Sequence, residues 1–355
     1  MIPTTILTGF LGAGKTTLLN RLLKEPHGHR IAVIENEFGA ENIDNEILVQ
    51  DSNEQIVEMN NGCICCTVRG DLISALSTLA IRRNAGELQF DHVVIETTGL
   101  ANPGPVAQTF FMDEEVSLHY MLDAVITIVD ARHGMQQLDA REEAQRQVGF
   151  ADRILLSKTD LCSPEEVAQL TARLKRINPR APITSNSLDG MPISGLLDLR
   201  GFNLNDKLDI DPDFLAGAEH GHDEHCGHDH GQDHEHDHEH DHEHGGHGDH
   251  HHHHNHTDDI AAFVFRSQRP FDTARLDNFL GGLIQVFGPR MLRYKGILYM
   301  QGADRKVVFQ GVHQTMGSDI GAPWLDNEER GSKMVFIGVN LPQDVFLQGL
   351  EQCLV

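Results

Sequence analysis

The sequence predicts an α/β fold: a mostly parallel sheet with helices on both faces, followed by a small α+β C-terminal domain. Three observations predict it. Apolar runs at 92–96, 123–130 and 153–156 alternate with helical patterns, as expected of parallel strands buried on both faces. The first strand candidate runs through a glycine-rich turn into a helix. A long tract of His, Asp and Glu then interrupts the chain, and apolar patterning resumes at residue 260.

The first strand is read at 4–8. Gly9-Phe10-Leu11-Gly12-Ala13-Gly14-Lys15-Thr16-Thr17 follows, then a helix beginning at Leu18. This fits G-x-x-x-x-G-K-[ST] in its strand–turn–helix setting, and so predicts a P-loop NTPase domain. Glycines allow successive backbone N–H groups to turn inward, and the helix start adds its own donors and dipole. Gly9, Gly12, Ala13, Gly14, Lys15, Thr16 and Thr17 are therefore the candidate phosphate residues. Lys15 would reach the β- and γ-phosphates, the Thr16 hydroxyl would ligate Mg²⁺, and Thr17 would touch the α-phosphate.

The next strand, at 30–35, leads into Asn36-Glu37-Phe38-Gly39 and an acidic polar loop to about residue 53, where a nucleotide-binding domain carries a switch segment. A strand at 55–59 is followed by Gly62-Cys63-Ile64-Cys65-Cys66. Three Cys in four residues suit a metal better than a disulfide framework, because thiolates close tetrahedral Zn²⁺ sites. One backbone geometry does not easily bring all three to one ion, so Cys63, Cys65 and Cys66 need other ligands. Glu35, Glu37 and Glu41 are the candidates, since a ligand in the switch-like loop would couple metal to nucleotide. Buried or redox-active cysteine is the alternative. A helix at 71–83 places Leu72, Leu76 and Leu79 on one face.

The buried strand at 92–96 ends in Glu96-Thr97-Thr98-Gly99. In a P-loop protein this strand sends a carboxylate towards Mg²⁺, and the Gly99 N–H can sense the γ-phosphate. Glu96 stands where Asp is commoner, and would bind the ion through water or help place the attacking water. After the strands at 123–130 and 153–156 comes Ser157-Lys158-Thr159-Asp160, in the position of a guanine-reading Asn-Lys-x-Asp. The Asp160 carboxylate would accept from guanine N1–H and N2–H₂, donors that adenine lacks, and the Lys158 stem would cover the base; GTP is therefore preferred over ATP. Ser157 departs from the pattern, whose Asn holds the loop and contacts the base edge. A helix at 164–177, capped by Ser163, and a short strand near residue 183 close the domain.

Residues 219–258 hold eighteen of the chain's 24 histidines. They show no apolar periodicity, so the segment is read as a disordered linker whose imidazoles bind many transition-metal ions weakly. Beyond it lie a strand at 260–265, a helix at 273–286, strands at 291–300, 306–312 and 333–340, and a closing helix at 343–353. The expected division is 1–205, a P-loop GTPase domain; 206–258, the metal-binding linker; and 259–355, the α+β domain. His27, His29, His92, His119, His133 and His313 are scattered and read as surface or core histidines rather than ligands. Trp324, the lone tryptophan, is read as packing.

The net charge of −25 is uneven: residues 219–259 carry thirteen Asp or Glu and no Lys or Arg, leaving −12 for the rest. Nothing suggests a nucleic-acid surface. No run approaches the roughly 20 apolar residues of a membrane span, and the first strand begins at once, so a cytoplasmic protein is expected. The second domain is a plausible surface for partners or for a homo-oligomer.

With these motifs in this order, and with Leu292-Arg293-Tyr294-Lys295-Gly296, Phe309-Gln310-Gly311-Val312 and Met334-Val335-Phe336-Ile337-Gly338 after them, the chain strongly resembles the CobW-type metallochaperone P-loop GTPases, the zinc-regulated GTPase metalloprotein activator family, close to its YjiA branch. The resemblance implies a slow GTPase that binds Zn²⁺, or else Co²⁺ or Ni²⁺, and passes the metal to a client protein. By motif position it carries over Gly12, Gly14, Lys15, Thr16 and Thr17 for phosphate and Mg²⁺, Lys158 and Asp160 for the base, and Cys63, Cys65, Cys66 and Glu37 for the metal. Two other readings stand beside it: a metal buffer acting through the histidine tract, and a regulatory GTPase with structural cysteines.

Overall fold

The computed structural model describes residues 1–36, 45–50, 56–61, 68–185, 192–201, 259–325 and 328–355. Glu37, Glu41, Cys63, Cys65, Cys66 and the histidine tract lie outside the described residues.

Strand β1 (Ile2–Gly9) enters the glycine loop and α1 (Lys15–Lys24) leaves it. α1 buries Leu18, Leu19, Leu22 and Leu23 and carries Arg21 and Lys24 in its last turn, where cations favour the helix dipole. Next come β2 (Ile31–Asn36), β3 (Asn45–Gln50), β4 (Ile56–Asn61) and α2 (Val68–Asn84). Leu72, Leu76 and Leu79 of α2 are all buried, as their spacing predicts. The body continues through β5 (His92–Thr97), α3 (Pro103–Met112), α4 (Glu114–His119), β6 (Tyr120–Asp130), α5 (Gly134–Ala140), α6 (Glu142–Phe150), β7 (Arg153–Ser157), α7 (Pro164–Ile177) and β8 (Ile183–Thr184). Ser163 caps α7 in a full capping box: its hydroxyl accepts from Glu166 N, and the Glu166 carboxylate accepts from Ser163 N.

These strands form one sheet in the order β4-β3-β2-β5-β1-β6-β7-β8. The six from β2 to β8 in that order are parallel, and β3 and β4 add antiparallel to the edge. The expected polar loop up to residue 53 is thus interrupted by a strand, β3. Its apolar run Ile47-Leu48-Val49 is short and flanked by acids, and pairing with β2 and β4 supplies the order that local pattern does not. Alternation along β1 divides the core. Leu7 faces a cluster with α1 and the turn at Ile193–Gly195, whereas Ile6 faces a larger one with α2, α3, α6 and α7.

The C-terminal domain holds β9 (Ile260–Ser267), α8 (Thr273–Phe287), β10 (Met291–Leu298), β11 (Arg305–Val312), β12 (Thr315–Pro323), β13 (Ser332–Val339) and α9 (Gln343–Gln352). Its antiparallel sheet runs β12-β11-β10-β13-β9. One face, with Phe263, Phe336 and Phe309, buries α8 and α9. The other, with Ile260, Leu292, Val335 and Ile337, joins the larger core of the first domain. Two glycines allow this approach. A Cβ on Gly149 of α6 would stand 2.8 Å from Leu292 Cδ1, and one on Gly104 of α3 would stand 2.5 Å from His313 Nε2. β12 was not foreseen; it is a mostly exposed edge strand that mixes polar, glycine and apolar residues, and it is ordered by its ladder to β11.

Asp152, buried between the domains, ties them electrostatically. Its Oδ1 accepts from Arg293 Nη2 and Arg180 Nη2, both at 2.8 Å, and its Oδ2 from Val125 N. Burial opposes ionisation of Asp152, but Arg293 and Arg180 outweigh it and hold the carboxyl below the usual range. Trp324 packs edge-on to Tyr299 with the Lys306 ammonium 4.9 Å from its ring centre. No described helix is long and apolar enough to cross a membrane.

Candidate nucleotide and metal site

The site is assembled at the carboxyl ends of the parallel strands, where an open α/β sheet leaves its crevice. The turn from β1 to α1 needs its glycines: Gly9, Gly12 and Gly14 have φ of 145°, 73° and 103°, a region costly for other residues. α1 has no side-chain cap and no acidic residue in its first turn, which leaves the N–H donors and positive pole of the helix for an anion. Ala13 is buried, while Thr16 and Thr17 are exposed. Lys15 Nζ folds across its own loop, donating to Gly9 O at 2.9 Å and Phe10 O at 3.4 Å. Burial pushes its pKa down, and the Glu96 charge pulls it partly back.

Thr16 Oγ1 donates to Glu96 Oε1 at 3.1 Å. The hydroxyl and the carboxylate, eighty residues apart in the sequence, thus stand as adjacent oxygen donors. Thr97, next on β5, binds Thr8 Oγ1 at 2.9 Å and fixes β5 against β1. Gly99 follows in close contact with the loop: a Cβ there would stand 2.5 Å from Leu11 N and 2.6 Å from Leu11 Cγ. Residue 99 therefore has to be glycine if the two segments are to meet.

The Ser157-Lys158-Thr159-Asp160 segment, expected from the sequence to meet the base, follows β7 beside the end of β6. Lys158 takes a left-handed φ of 56° and donates from Nζ to Asp130 Oδ2 at 2.7 Å. Burial raises the cost of charge on Asp130, but hydrogen bonds from Lys158 and His133 outweigh it and keep the carboxyl below its ordinary range. Asp160 is exposed on the following 3-10 turn. Ser157 has a defined job: its hydroxyl donates to Ala13 O at 2.7 Å and so fastens its own loop to the glycine loop. Sequence reading treated Ser157 only as a departure from a pattern. It did not single out Asp130, although an acid closing a buried parallel strand was a signal for it.

Gln147 was also missed. From α6 its Nε2 donates to Gly99 O at 3.1 Å and Ala101 O at 3.0 Å. Nothing local marks it, because its partners lie some forty-six residues back.

The cysteine motif and the switch-like loop are approached by strands that are described. β2, β3 and β4 run up, down and up, so β2 at Asn36 and β4 at Asn61 end on the same side of the sheet as the phosphate loop. Glu37 is the next residue after the first of these ends, and Cys63 comes two residues after the second. With one strand between them the ends are about 10 Å apart. Glu35 lies beside Glu96 in the β2–β5 ladder. Cys162, outside this group, is half-buried and its thiol is pushed up by burial and nearby acids; Cys353 is buried in the C-terminal domain.

Comparison with known proteins places this geometry in context. Residues 3–185 match the family described as CobW/HypB/UreG, nucleotide-binding domain, and residues 260–354 match the cobalamin synthesis protein cobW C-terminal domain. The chain is 38% identical over 344 residues to the Escherichia coli protein named zinc chaperone YjiA, covering 97% of this chain and 96% of that protein. It is 34% identical to the zinc chaperone CobW of Pseudomonas aeruginosa, covering 99% of this chain and 92% of that protein. The crystal structure of Zn(II)-bound YjiA GTPase from E. coli superposes with a TM-score of 0.75 at 33% identity, covering 99% of this chain and 98% of that one. The chain therefore belongs to the CobW/HypB/UreG family, with a nucleotide-binding domain at 3–185 and a CobW-type C-terminal domain at 260–354.

Proposed function

We propose that this protein is a GTP-hydrolysing metallochaperone that holds Zn²⁺ at Cys63, Cys65 and Cys66 and yields it to a client protein when GTP is turned over. The GTPase and zinc-chaperone character rests on family membership and on relatives named for both. The observation that carries the coupling is topological: the strands leading to Glu37 and to the cysteines end on the side of the sheet that holds the phosphate loop. A ligand set drawn from Glu37, Glu41 and the cysteines would then change with the switch. The segments 1–205, 206–258 and 259–355 act in this reading as GTPase, ion-collecting tract and partner-facing domain.

Thr16 and Glu96 offer adjacent oxygen donors, which fit Mg²⁺ and its preference for hard ligands. When bound there, the ion supplies neutralisation of phosphate charge. The chain's own groups do the remainder. Backbone N–H groups of Gly12 to Thr17 cradle the phosphates, Lys15 places its ammonium against them, Gly99 presents an N–H to the γ-phosphate, and Glu96 orients water. Lys158 and Asp160 read guanine. At the cysteine site Co²⁺ or Ni²⁺ is the alternative to Zn²⁺, because affinity alone follows the general stability order and does not name the ion.

The test is the affinity for a non-hydrolysable GTP analogue, measured with and without Zn²⁺ in the full chain, in the Cys65→Ser/Cys66→Ser variant, and in a chain lacking residues 219–256. Coupling is reciprocal, so a zinc-dependent shift that survives loss of the tract and disappears with the cysteines supports metal delivery timed by GTP. A shift lost with the tract alone points to a buffer. No shift in any form removes the coupling and leaves a regulatory GTPase.

A further inference from the structure

Strands β6 and β7 end side by side, with Asp130 opposite Ser157 in their parallel ladder. Asp130 is only 2% exposed there. Its Oδ1 accepts from Arg132 N at 2.9 Å and His133 N at 3.2 Å. Its Oδ2 accepts from Lys158 Nζ at 2.7 Å and lies 3.1 Å from His133 Nδ1. An ionised carboxylate offers about four lone pairs and can only accept, so this one is fully engaged and His133 presents its Nδ1 proton.

The two backbone bonds account for an acid at the end of β6. They close the turn into α5, whose N-cap residue, His133, makes no side-chain cap of its own. They do not account for Lys158. That side chain is 38% exposed, so water can solvate its ammonium, and holding a long flexible chain in one place costs rotamer entropy. Its backbone is left-handed at φ 56°, a conformation costly for a residue with a Cβ. A strained backbone and a pinned lysine at the carboxyl end of a parallel sheet, where such folds bind ligands, mark a preorganised position.

The turn is held at its start as well, where Ser157 Oγ donates to Ala13 O. Residue 157 is thus tied to the glycine loop and residue 158 to β6. The Lys158 ammonium is committed to the sheet, and what the turn offers a ligand is the methylene stem of Lys158 and the exposed Asp160 carboxylate.

We propose that Asp130 is a positioning residue for the nucleotide base. By holding the Lys158 ammonium, it fixes the stem that covers the base and the strained backbone from which Asp160 is presented. This role rests on the base-reading roles inferred above for Lys158 and Asp160. It adds that they depend on a carboxylate twenty-eight positions earlier in the chain, and that this carboxylate acts on the base and not on the phosphates.

The test is affinity in the presence of Mg²⁺, on the full chain, for two probes: a non-hydrolysable GTP analogue, and inorganic triphosphate, which has phosphates and no base. Asp130→Asn keeps an oxygen for the Arg132 and His133 amides and withdraws the charge from Lys158. It is expected to weaken the GTP analogue about tenfold, as suits the loss of a hydrogen bond between charged groups, and to leave inorganic triphosphate nearly unchanged. Lys158→Met cuts the same bond from its partly exposed end, where folding is at little risk. Met keeps an apolar stem, so the same pattern there reports the lost anchor. Both substitutions remove one interaction, so the double variant should bind no more weakly than the weaker single one. The role of Asp130 is overturned if Asp130→Asn weakens both probes equally or if the two losses add. It is also overturned if the GTP analogue binds unchanged while the thermal midpoint falls, the mark of a lysine that only neutralises a buried charge. Asp160→Asn tests the base reading separately. If it leaves the GTP analogue as tightly bound as in the wild type, the turn does not read the base and both roles fall. If it weakens the analogue while Asp130→Asn and Lys158→Met do not, only the positioning role falls.

Discussion

Gln147 Nε2 donates to the carbonyl of Gly99 at 3.1 Å, and two residues further along the same helix Gly149 abuts Leu292 of the C-terminal sheet. The segment that would sense the γ-phosphate is thus held by the helix on which the second domain rests. The same side chain also binds Ala101 O, so it fixes both ends of the turn after Gly99. A conformational change there has to break or carry these bonds, and α6 is the element through which the second domain would feel it.

Gln147→Leu keeps the volume but leaves one buried carbonyl, of Gly99, and one partly buried, of Ala101, without their donor, at a cost of about 1–3 kcal/mol for the buried group left unpaired. We expect a lower thermal midpoint and a fall of about tenfold in GTP turnover, which corresponds to about 1.4 kcal/mol of barrier. Turnover and midpoint are to be measured on the same preparation. A variant with a lowered midpoint and unchanged turnover would show that the contact serves stability only.

Thr16 and Glu96 are separable by mutation. Thr16→Ala removes an exposed hydroxyl, so the fold should be unaffected while Mg²⁺-dependent GTP binding and hydrolysis both fall. Glu96→Gln keeps an oxygen for the Thr16 hydrogen bond and removes only the charge. Nucleotide should still bind, with turnover lower on the order of 10²-fold, the usual effect of losing a proton-handling group. Single-turnover hydrolysis checks this, and wild-type rates in Glu96→Gln would remove Glu96 from the chemistry.

The phosphate loop was legible because its requirements are local: glycines at positive φ, a lysine and a hydroxyl residue within nine positions of one chain. The alternation of buried strands likewise gave the sheet and its crevice. What stayed hidden depends on contacts across the fold. Ser157 reads as a defect in a motif until its hydroxyl is seen on Ala13 O. Gln147 is one polar residue on an amphipathic helix until Gly99 lies beneath it. His29 and His92 read as unrelated histidines, because the parallel ladder between β2 and β5 is what brings the starts of those strands together. Strand β3 was hidden differently, since its order comes from partners on either side.

Asp152 makes the domain junction sensitive to charge. Asp152→Asn leaves Arg293 and Arg180 without their buried counter-charge, and should cost about 3–5 kcal/mol. The pH dependence has a definite sign. The folded pKa of Asp152 lies below its ordinary value, so its contribution is fully present above the unfolded value of about 3.9. It is lost as the pH falls through the folded value. Denaturant unfolding of the wild type and the variant should therefore differ by a constant amount from neutral pH down to about pH 4, and converge only in stronger acid. A difference that shrank between pH 7 and pH 5 would show that Asp152 is not held as the carboxylate.

Base selection offers the last test, because Asp160 and Ser157 would act on different properties. Guanine presents two donors, N1–H and N2–H₂, to a carboxylate, whereas xanthine presents a carbonyl at C2 in place of the amine. Asp160→Asn exchanges one acceptor for an amide donor. We expect GTP affinity to fall at least tenfold and xanthosine triphosphate affinity to rise, since a recognition site rejects a partner that leaves its polar groups unpaired. Ser157→Ala instead removes the bond to Ala13 O and loosens the link between the base loop and the phosphate loop. It should weaken GTP and xanthosine triphosphate alike and leave their ratio unchanged. Competition binding with both nucleotides separates the two effects. An unchanged ratio in Asp160→Asn would mean that this exposed carboxylate does not read the base, and that the preference for GTP is set elsewhere in the site.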